Sequence, residues 1–307
     1  MIVYIIRRLL YLIPVFLFVS GVTFTLMHMV KGGPWDTATA KAASPSVKKA
    51  IAAKYKLDEP LLQQYVEYMW DASHGDLGPS FSSPVPVNRV LADGFPLTAG
   101  LGLAAVGLAL VIGIPLGVLA ALRHNSIIDQ ISLFIVTLGV SVPGFVIAIA
   151  SILLFSVVLH WLPFQFERND WTSWLMPAAL LGLGPTALLV RLTRSATLDV
   201  LSEDYVRTAH AKGLPALMVN RRHVLRNALI PVITLVGPLT AGLITGSFVV
   251  ESLFGVPGIG RMFITAVGKR DYGQLLGSTL FYTLVVVLFN LAVDLTYSFI
   301  DPRIARS

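Results

Sequence analysis

The sequence predicts an all-α membrane protein with six transmembrane helices, and three observations carry that prediction. Hydrophobic residues make up 55% of the 307 positions and charged residues 13%, about half the charged fraction of a typical soluble domain. Six apolar stretches are long enough to cross a bilayer, which takes roughly 20 residues. The basic residues gather on one side of those stretches. Together these observations exclude an ordinary soluble enzyme and a disordered chain.

The six apolar stretches cover residues 9–30, 97–122, 131–159, 174–193, 229–250 and 276–299. The first is too long for the core of a cleaved signal peptide, so we expect a retained helix. The third contains Ser141 and Pro143 at its centre, and a proline there breaks the helical hydrogen bonding. A broken helix persists in lipid only where neighbouring helices or water satisfy the freed backbone groups, so we expect this one inside a bundle.

Six spans put both termini on one side of the membrane, and the distribution of charge predicts that this side is the cytoplasm. Segments 1–8, 123–130, 194–228 and 300–307, taken with Arg191, hold twelve basic and five acidic residues, whereas the external segments hold eleven of each. The formal net charge of +6 is therefore explained by topology. Nucleic acid is not needed to account for it.

A large external segment, residues 32–96, follows the first predicted span. Within it, Ser46 to Trp70 show an uneven apolar face typical of a helix, and Gly75 to Pro79 are typical of a turn. Two interpretations stay open at this point. The segment is either a compact cap, or a docking surface or lid over a pathway.

The segment 194–228 is predicted to form a helical elbow between the fourth and fifth spans. Ser202 is expected to cap a short helix that carries Asp204 in its first turn, where negative charge suits the helix dipole. This helix runs to Lys212 and ends at Gly213. A second short, basic helix then leads into the fifth span. From these residues alone, a basic connector lying on anionic headgroups is as good an interpretation as a docking element.

The sequence contains no recognisable catalytic, metal or cofactor motif. Its Gly268-Lys269 pair lacks the flanking glycine and hydroxyl residue of a phosphate-binding loop. It has no cysteine, which removes disulfides and thiol chemistry. The glycine cluster from Gly255 to Gly260 is typical of an external turn. We therefore expect no catalytic residue, no bound metal and no cofactor in this chain.

Ionisable residues within the predicted spans are rare, and such residues commonly mark an ion or proton path. Glu251 closes the fifth span at its external end, and Asp294 lies near the cytoplasmic end of the sixth; an interfacial or packing role suits each better than a proton relay. Gly113–Gly117 and Gly242–Gly246 have the spacing of close helix approach, in a bundle or at a subunit interface. The candidates for a pathway or gate are Ser141, Pro143, Thr245 and Glu251.

Three runs in the elbow resemble the cytoplasmic signature of bacterial ABC-importer permeases: Arg191–Ser195, Asp204–Gly213 and Arg226–Pro231. They are most similar to the dipeptide, oligopeptide and nickel branch of that family. Two positions depart from the general signature, since Arg207 stands where an acid is usual and Pro231 comes five residues late. Both departures resemble the peptide branch. Further motifs of that branch are Gly75–Gly78, Ser141–Gly144, Glu251–Gly260 and Asp301–Arg303.

The resemblance implies a permease subunit of an ATP-driven importer, in a prokaryotic plasma membrane. Such a subunit pairs with a second, related permease, docks on one or two cytoplasmic ATPase subunits and receives solute from an external binding protein. Residues 1–31 would form the first span, 32–96 the external segment, and 97–307 the permease core. The residues implied in ATPase docking are Asp204, Tyr205, Arg207, Thr208, Ala209, Lys212 and Gly213.

Two other functions are less consistent with the sequence. A secondary, ion-coupled transporter or channel would usually show inverted repeats and charges within the membrane, and neither is evident. A membrane enzyme would need a catalytic constellation near one interface, and none is evident. The solute stays open among dipeptides, longer peptides, nickel chelates and oligosaccharides.

Overall fold

The computed structural model describes residues 2–29, 35 and 43–300, and the regular structure of this part is helical. The α-helices are α1 (Ile2–Met29), α2 (Pro45–Tyr55), α3 (Leu61–Ser73), α4 (Val87–Leu122), α5 (Ile127–Ser141), α6 (Gly144–Ser151), α7 (Leu175–Leu201), α8 (Asp204–Ala211), α9 (Ala216–Val219), α10 (Leu225–Ile244), α11 (Phe248–Phe254), α12 (Ile259–Lys269) and α13 (Tyr272–Ile300). Segments Ile152–Val158 and Asn220–Val224 are π-helical, and Trp171–Trp174 is a 3₁₀ turn. The motif Asp301–Arg303 and the side chain of Asp294 lie outside the described part.

Among the described residues, four continuous helical stretches are long and apolar enough to cross a membrane: 87–122, 171–201, 216–244 and 272–293. Two further pairs of helices are long and apolar enough when each pair is counted as one span, although each pair is sharply bent. The pair 127–139 and 144–158 bends by 101°, and the pair 248–254 and 259–269 bends by 90°. Residues 13–29 of α1 form a shorter apolar helix. The protein is therefore an all-helical membrane protein with several apolar spans.

One predicted span is broken where the sequence predicted a break, and another differs from the observed helix. The predicted third span is broken after Ser141, because Pro143 disfavours helical backbone at the residue before it, and Val142 is accordingly extended. The predicted fifth span, 229–250, begins and ends in the wrong place. Its helix continues from Ala216 and stops at Ile244, beyond which Gly246 adopts a positive φ of 81° and α11 sets off in a new direction.

The segment that was predicted to be external contains two helices where the sequence predicted one. Ser44 caps α2 by accepting a hydrogen bond from the Val47 amide. Pro45 occupies the first turn, where a backbone N–H would have no partner within the helix, so its absence in proline costs nothing. Lys56 then adopts a left-handed conformation with φ of 47°, and α3 starts after Pro60. The chain therefore folds back between α2 and α3.

The chain is divided into two compact units. Unit 1 consists of residues 1–98, 245–252 and 257–307, and unit 2 of residues 99–244 and 253–256. In unit 1, α1 packs along α13, and aromatic residues from the external segment join them in one buried cluster. In unit 2, α7 packs against both α5 and α10.

Close helix packing in unit 2 depends on Gly117. A Cβ atom added there would lie 2.7 Å from Thr193 Cβ and 2.8 Å from the Val190 carbonyl oxygen on α7. The Gly113–Gly117 pair therefore mediates helix packing within the chain, one of the two roles that the sequence left open. The Gly242–Gly246 pair has no such role here, since Gly246 lies beyond the helix and Gly242 has no neighbour within 4 Å of an added Cβ.

Candidate functional site

The elbow helix α8 begins one residue later than predicted. Ser202 does not cap it; the Ser202 hydroxyl instead donates to the Asp199 carbonyl at 2.7 Å and closes the end of α7. The cap is Glu203, whose backbone is extended and whose carbonyl accepts from the Val206 amide at 3.0 Å. Asp204 lies in the first turn, as predicted, where its charge suits the helix dipole.

Two backbone hydrogen bonds end α8. The Gly213 amide donates to the His210 carbonyl at 2.9 Å, and the Leu214 amide donates to the Ala209 carbonyl at 3.4 Å. This pair of bonds is the Schellman arrangement, in which the residue after the cap takes a left-handed conformation. Gly213 has φ of 75°, which confirms the predicted stop. A Cβ at Gly213 would have no neighbour within 4 Å, so only the backbone demands glycine.

The inner face of α8 packs against the helix that follows it. Val206 and Ala209 form a buried cluster with Val219 and Val224, and Leu214 packs at its edge. Ala209, which the family resemblance implied as an ATPase-docking residue, is only 6% exposed and lies beneath the surface of α8. Val206 and Ala209 are three positions apart, the spacing of one helix face, and this spacing could have indicated the buried face.

The second helix of the elbow is not a separate short helix. Residues 216–244 form one stretch, with a π-helical segment at 220–224 joining α9 to α10. Tyr205 braces α8 against it, since the Asn227 side-chain amide donates to the Tyr205 hydroxyl at 2.7 Å. The buried cluster and this hydrogen bond therefore connect α8 to a long helix.

The outer face of α8 is polar and exposed. Asp204 and Arg207 are exposed, and the distance from Arg207 Nη1 to Asp204 Oδ1 is 3.5 Å. The Thr208 hydroxyl donates back to the Asp204 carbonyl at 2.9 Å, and Lys212 is exposed at the helix end. The structure thus brings six of the predicted docking residues to one exposed surface and places Ala209 beneath it.

The sequence predicted the basic residues of the second helix but not the exposed apolar pair beside this surface. Leu217 is 80% exposed and Met218 46% exposed. Met218 also lines an open groove of about 540 Å³ with Arg221, Arg222 and Arg226. The sequence did contain a signal for this apolar pair, because Leu217 and Met218 lie in the first turn of the helix that begins after Pro215.

The pathway candidates fall into two groups. Ser141 and Pro143 lie exposed at the break between α5 and α6 in unit 2. Thr245 and Glu251 belong to unit 1, where Thr245 is half-buried and Glu251 is completely buried.

The Glu251 carboxyl group caps helix α12. Its Oε1 accepts from the Thr98 hydroxyl at 2.9 Å, and its Oε2 accepts from the Arg261 amide at 2.9 Å. Thr98 Oγ1 in turn accepts from the Ile259 amide at 3.0 Å. The first amides of a helix have no partner within the helix, and Thr98 and Glu251 supply partners here.

Glycine at position 258 makes room for this cap. A Cβ there would clash with Thr98 Oγ1 and would lie 2.5 Å from Glu251 Oε2. Gly255 to Gly258 form a turn, as predicted, whereas Gly260 already lies in the first turn of α12. The cluster also encloses a buried carboxyl group. No sequence pattern indicated the partner, because Thr98 is 153 residues from Glu251.

A second buried carboxylate, Asp271, was missed. It is 1% exposed and begins α13, where it accepts from the Gln274 amide at 3.0 Å. It also accepts from the Phe81 and Ser82 amides, both at 3.0 Å, and from the hydroxyls of Ser80 and Ser82. Asp271 therefore fastens the loop at residues 80–82 to the start of a long helix.

Ion pairs hold the two external helices together. Lys54 Nζ lies 2.8 Å from Asp71 and 2.7 Å from Asp76, and Lys56 pairs with Glu67. Hydrogen bonds to Asp71 and Asp76 raise the pKa of Lys54, and the bond from Lys54 lowers the pKa of Asp76. These contacts favour the compact-cap interpretation of the segment over that of a loose lid.

No group of three or more histidine, aspartate or glutamate side chains is arranged to bind a metal within the described residues. The polar clusters at Glu251 and Asp271 are each satisfied by hydrogen-bond donors of the chain itself. The functional features of the described residues are therefore the exposed helix α8, which is packed on the helix that follows it, and two buried carboxyl groups, Glu251 and Asp271, that hold turns in place.

Comparison with known proteins identifies the family. Residues 113–306 match the binding-protein-dependent transport system inner membrane component, and residues 1–102 match the N-terminal part of the same kind of component. The chain belongs to this family. It is thus a multi-pass permease subunit of the prokaryotic plasma membrane, in a type of transporter whose ATP hydrolysis occurs in a separate subunit.

Full-length relatives support the same assignment. The chain is 40% identical to the dipeptide transport system permease protein of Bacillus subtilis over 305 residues, covering 98% of this chain and 97% of the relative. It is 37% identical to the oligopeptide transport system permease protein of Escherichia coli K12, covering 99% of each. The resemblance to ABC-importer permeases drawn from the elbow motifs is therefore confirmed.

Solved structures of two other transporters share the fold. A structure titled as inward-facing conformations of the MetNI methionine ABC transporter matches with a TM-score of 0.54 and 18% identity, over 67% of this chain and 94% of that chain. An amino acid ABC transporter matches with a TM-score of 0.51 and 16% identity, over 68% of this chain and 92% of that chain.

Proposed function

We propose that this chain forms one half of the translocation pathway of an ATP-driven importer for dipeptides or oligopeptides. The observation that carries the proposal is the elbow, a rigid exposed helix braced on a long membrane helix, in a chain whose full-length relatives are named as dipeptide and oligopeptide permeases. The other half would be a second, related permease. An external binding protein would deliver the solute, and one or two cytoplasmic ATPase subunits would supply the energy.

The proposed topology has six spans with both termini in the cytoplasm. The spans are α1, α4, the bent pair at 127–158, α7, the stretch 216–244 and α13. The other bent pair, α11 and α12, would re-enter on the external side without crossing. The excess of basic residues in the segments assigned to the cytoplasm supports this orientation. Residues 32–96 are then the external segment, and 97–307 the permease core.

The proposed ATPase contact is the exposed surface formed by Asp204, Tyr205, Arg207, Thr208, Lys212 and Gly213. Ala209 would support it from beneath by packing on Val219 and Val224. A movement of the ATPase would push α8, and α8 would move the start of the 216–244 helix. The mechanism requires a stiff connection, which the buried cluster and the Asn227–Tyr205 hydrogen bond supply.

In the pathway, Ser141, Pro143 and Thr245 would contribute small polar or backbone groups at helix breaks. Breaks in membrane helices are tolerated where they line a water-filled cavity, which supports this role for the segment between α5 and α6. Glu251 would act indirectly, by holding the α11–α12 turn in one shape.

The decisive test of docking is the variant Gly213→Arg. It places a bulky side chain on the exposed surface and strains the left-handed backbone, so we expect the ATPase to be lost on purification and uptake of labelled peptide to fall by about tenfold or more. Assembly with the second permease should persist, because α8 contributes no residue to the packing of α7 against α5. Normal uptake with unchanged ATPase retention would show that the elbow is only a connector.

Cysteine crosslinking maps the same surface, since the natural chain has no cysteine. A single cysteine at Thr208 should crosslink to the ATPase, and the matched cysteine at Ala209, one residue away but buried, should not. Labelling with an impermeant thiol reagent tests the topology separately. Cysteines at Ser44 and Asn169 should react from outside and a cysteine at Leu217 should not; the reverse pattern would refute the orientation.

A further inference from the structure

A half-open apolar crevice lies in unit 1, and the proposed function does not use it. Its volume is about 370 Å³, within the range of small-ligand sites. The walls come from α1, α3 and α13, through Ile13, Phe16, Leu17, Met69, Ala72 and Leu280. Two polar side chains at its rim are already paired within the chain: Ser73 donates to the Trp70 carbonyl, and Asn88 donates to the Gly75 carbonyl. The crevice therefore suits an apolar occupant.

The crevice lies beside the middle of α1 rather than beyond its end. The Tyr65 hydroxyl on α3 donates to the Leu17 carbonyl at 3.1 Å and lies 2.7 Å from the Ser20 hydroxyl. Leu17 is separated from Met29, the end of α1, by about 18 Å of helix at 1.5 Å per residue. This part of α1 is predominantly apolar, so α3 runs alongside a portion of α1 that belongs to the membrane.

The outward face of α3 continues the apolar surface of α1. Leu62, Val66 and Trp70 recur at every fourth position and are 76%, 57% and 67% exposed. On α1, Leu17 is 49% exposed and Phe18 73% exposed. An aqueous surface rarely presents so extended an apolar patch.

The charged side of α3 is kept away from that apolar face. Glu67 pairs with Lys56 and Asp71 pairs with Lys54, both toward α2. A helix with one apolar and one charged face, carrying an exposed tryptophan, has the character of a helix that lies in a membrane interface.

We propose that the crevice binds an acyl chain of a membrane phospholipid and that the apolar face of α3 lies in the lipid beside it. The occupant is a lipid rather than a protein partner because the patch is continuous with the lipid-facing surface of α1, and because the polar side chains among the described lining residues already have partners within the chain. The external segment is thus anchored to the bilayer through α3. This inference does not depend on which solute is transported.

The first test uses Trp70 as a fluorescent probe in the assembled transporter. The chain has five tryptophans, and the other four (Trp35, Trp161, Trp171 and Trp174) are replaced by phenylalanine. In nanodiscs whose phospholipids carry bromine on the acyl chains, Trp70 emission should fall about twofold or more, and aqueous iodide should have little effect. Quenching by iodide alone would place the face in water, and no quenching by either would mean that a protein partner covers it; either result overturns the proposal.

A matched control shows how strongly each reagent quenches a tryptophan that is exposed to water. Ala53 is exposed on α2, so a chain whose one tryptophan comes from Ala53→Trp should show the opposite pattern, with quenching by iodide and none by brominated lipid. Equal lipid quenching at both positions would show only general proximity to the disc and would contradict a specific anchor at α3.

The second test fills the crevice. In Ala72→Phe the new ring occupies the space between α1 and α13, so photolabelling of α1 and α13 peptides by a phospholipid with a diazirine in its acyl chain should drop about fivefold. Ala53→Phe should leave the labelling unchanged. Equal labelling of the crevice peptides in both variants would refute acyl-chain binding there, and the peptide uptake assay reports separately on the transport function.

Discussion

The elbow at residues 202–215 and the turn at residues 245–258 both redirect the chain beside a long helix, but different forces hold them. The elbow is held by backbone bonds at Gly213 and by a small apolar cluster, and its polar face is exposed. The turn is held by a buried carboxyl group, Glu251, that accepts hydrogen bonds from Thr98 and from the start of α12.

The difference between the two regions separates a proposed docking surface from an internally fixed turn. A surface that must bind a partner keeps its charged groups exposed, and its shape depends on local backbone geometry. A turn buried in the protein depends for its shape on one polar group with several donors. We therefore expect substitutions in the turn to lower stability strongly, and substitutions in the elbow to affect coupling more than stability.

The largest effect is expected for Glu251→Ala. The change leaves the Thr98 hydroxyl and the Arg261 amide without an acceptor in a buried place, which costs about 3 kcal/mol or more. The apparent unfolding temperature of the purified transporter and its level in membranes should both fall. Glu251→Gln keeps an acceptor oxygen and should lose less. Unchanged stability with reduced uptake in Glu251→Ala would instead assign Glu251 to the pathway.

A somewhat smaller loss is expected for Gly258→Ala. The new methyl group would clash with Thr98 Oγ1, and relieving such a clash in a packed site costs about 2 kcal/mol. Thermal unfolding measures the loss. Gly107→Ala in α4 is the matched control, because a Cβ there has no neighbour within 4 Å and alanine favours a helix. Equal stability of the two variants would contradict the conclusion that position 258 must be glycine to make room for Thr98 and Glu251.

Gly213→Ala tests the elbow with a smaller expected effect. The methyl group meets nothing within 4 Å, so only the left-handed backbone is strained, at about 1 kcal/mol. Amide hydrogen exchange in α8 should quicken while global unfolding barely changes. Gly213→Asn should be milder still, since asparagine tolerates this conformation. A loss of global stability equal to that of Gly258→Ala would remove the distinction between the two regions.

The smallest effect concerns pH and the external helices. Because Lys54 and the Gly78 amide bind its carboxylate, the pKa of Asp76 is lowered in the folded protein. A lowered folded pKa stabilises the protein above the ordinary pKa, and the contribution is lost as the pH falls through the folded value. Asp76→Asn should therefore be less stable at pH 7 by a few tenths of a kcal/mol. The difference should begin to shrink at about pH 4, near the ordinary pKa of an aspartate, and should vanish only below the lowered pKa of the folded protein.

Unfolding temperatures across that pH range measure this effect, and Lys54→Met is its control. In the Lys54→Met background, the Asp76→Asn change should have less effect at pH 7, because the two side chains act as a pair. A difference that grows as the pH falls would have the wrong sign and would refute the pairing.

Several features followed from the sequence because their causes are local. A run of apolar residues identifies a membrane helix wherever it packs, and glycine followed by Leu214-Pro215 ends a helix by its own backbone preference. The break at Pro143 and the close approach at Gly117 were predictable for the same reason. Short-range signals also misled: Ser202 is a good capping residue, but it follows α7 closely enough to bond its carbonyl instead.

The amino-acid sequence alone was enough to predict the membrane class, the positions of most apolar helices, the elbow and its stop at Gly213. These features depend on composition and on residues within a few positions of one another. The folded structure was needed to show that Ala209 is buried, that Glu251 caps α12 with Thr98, and that Asp271 holds the loop at Ser80. The last two contacts join residues 153 and 191 positions apart, and a single sequence contains no signal that pairs one distant polar residue with another.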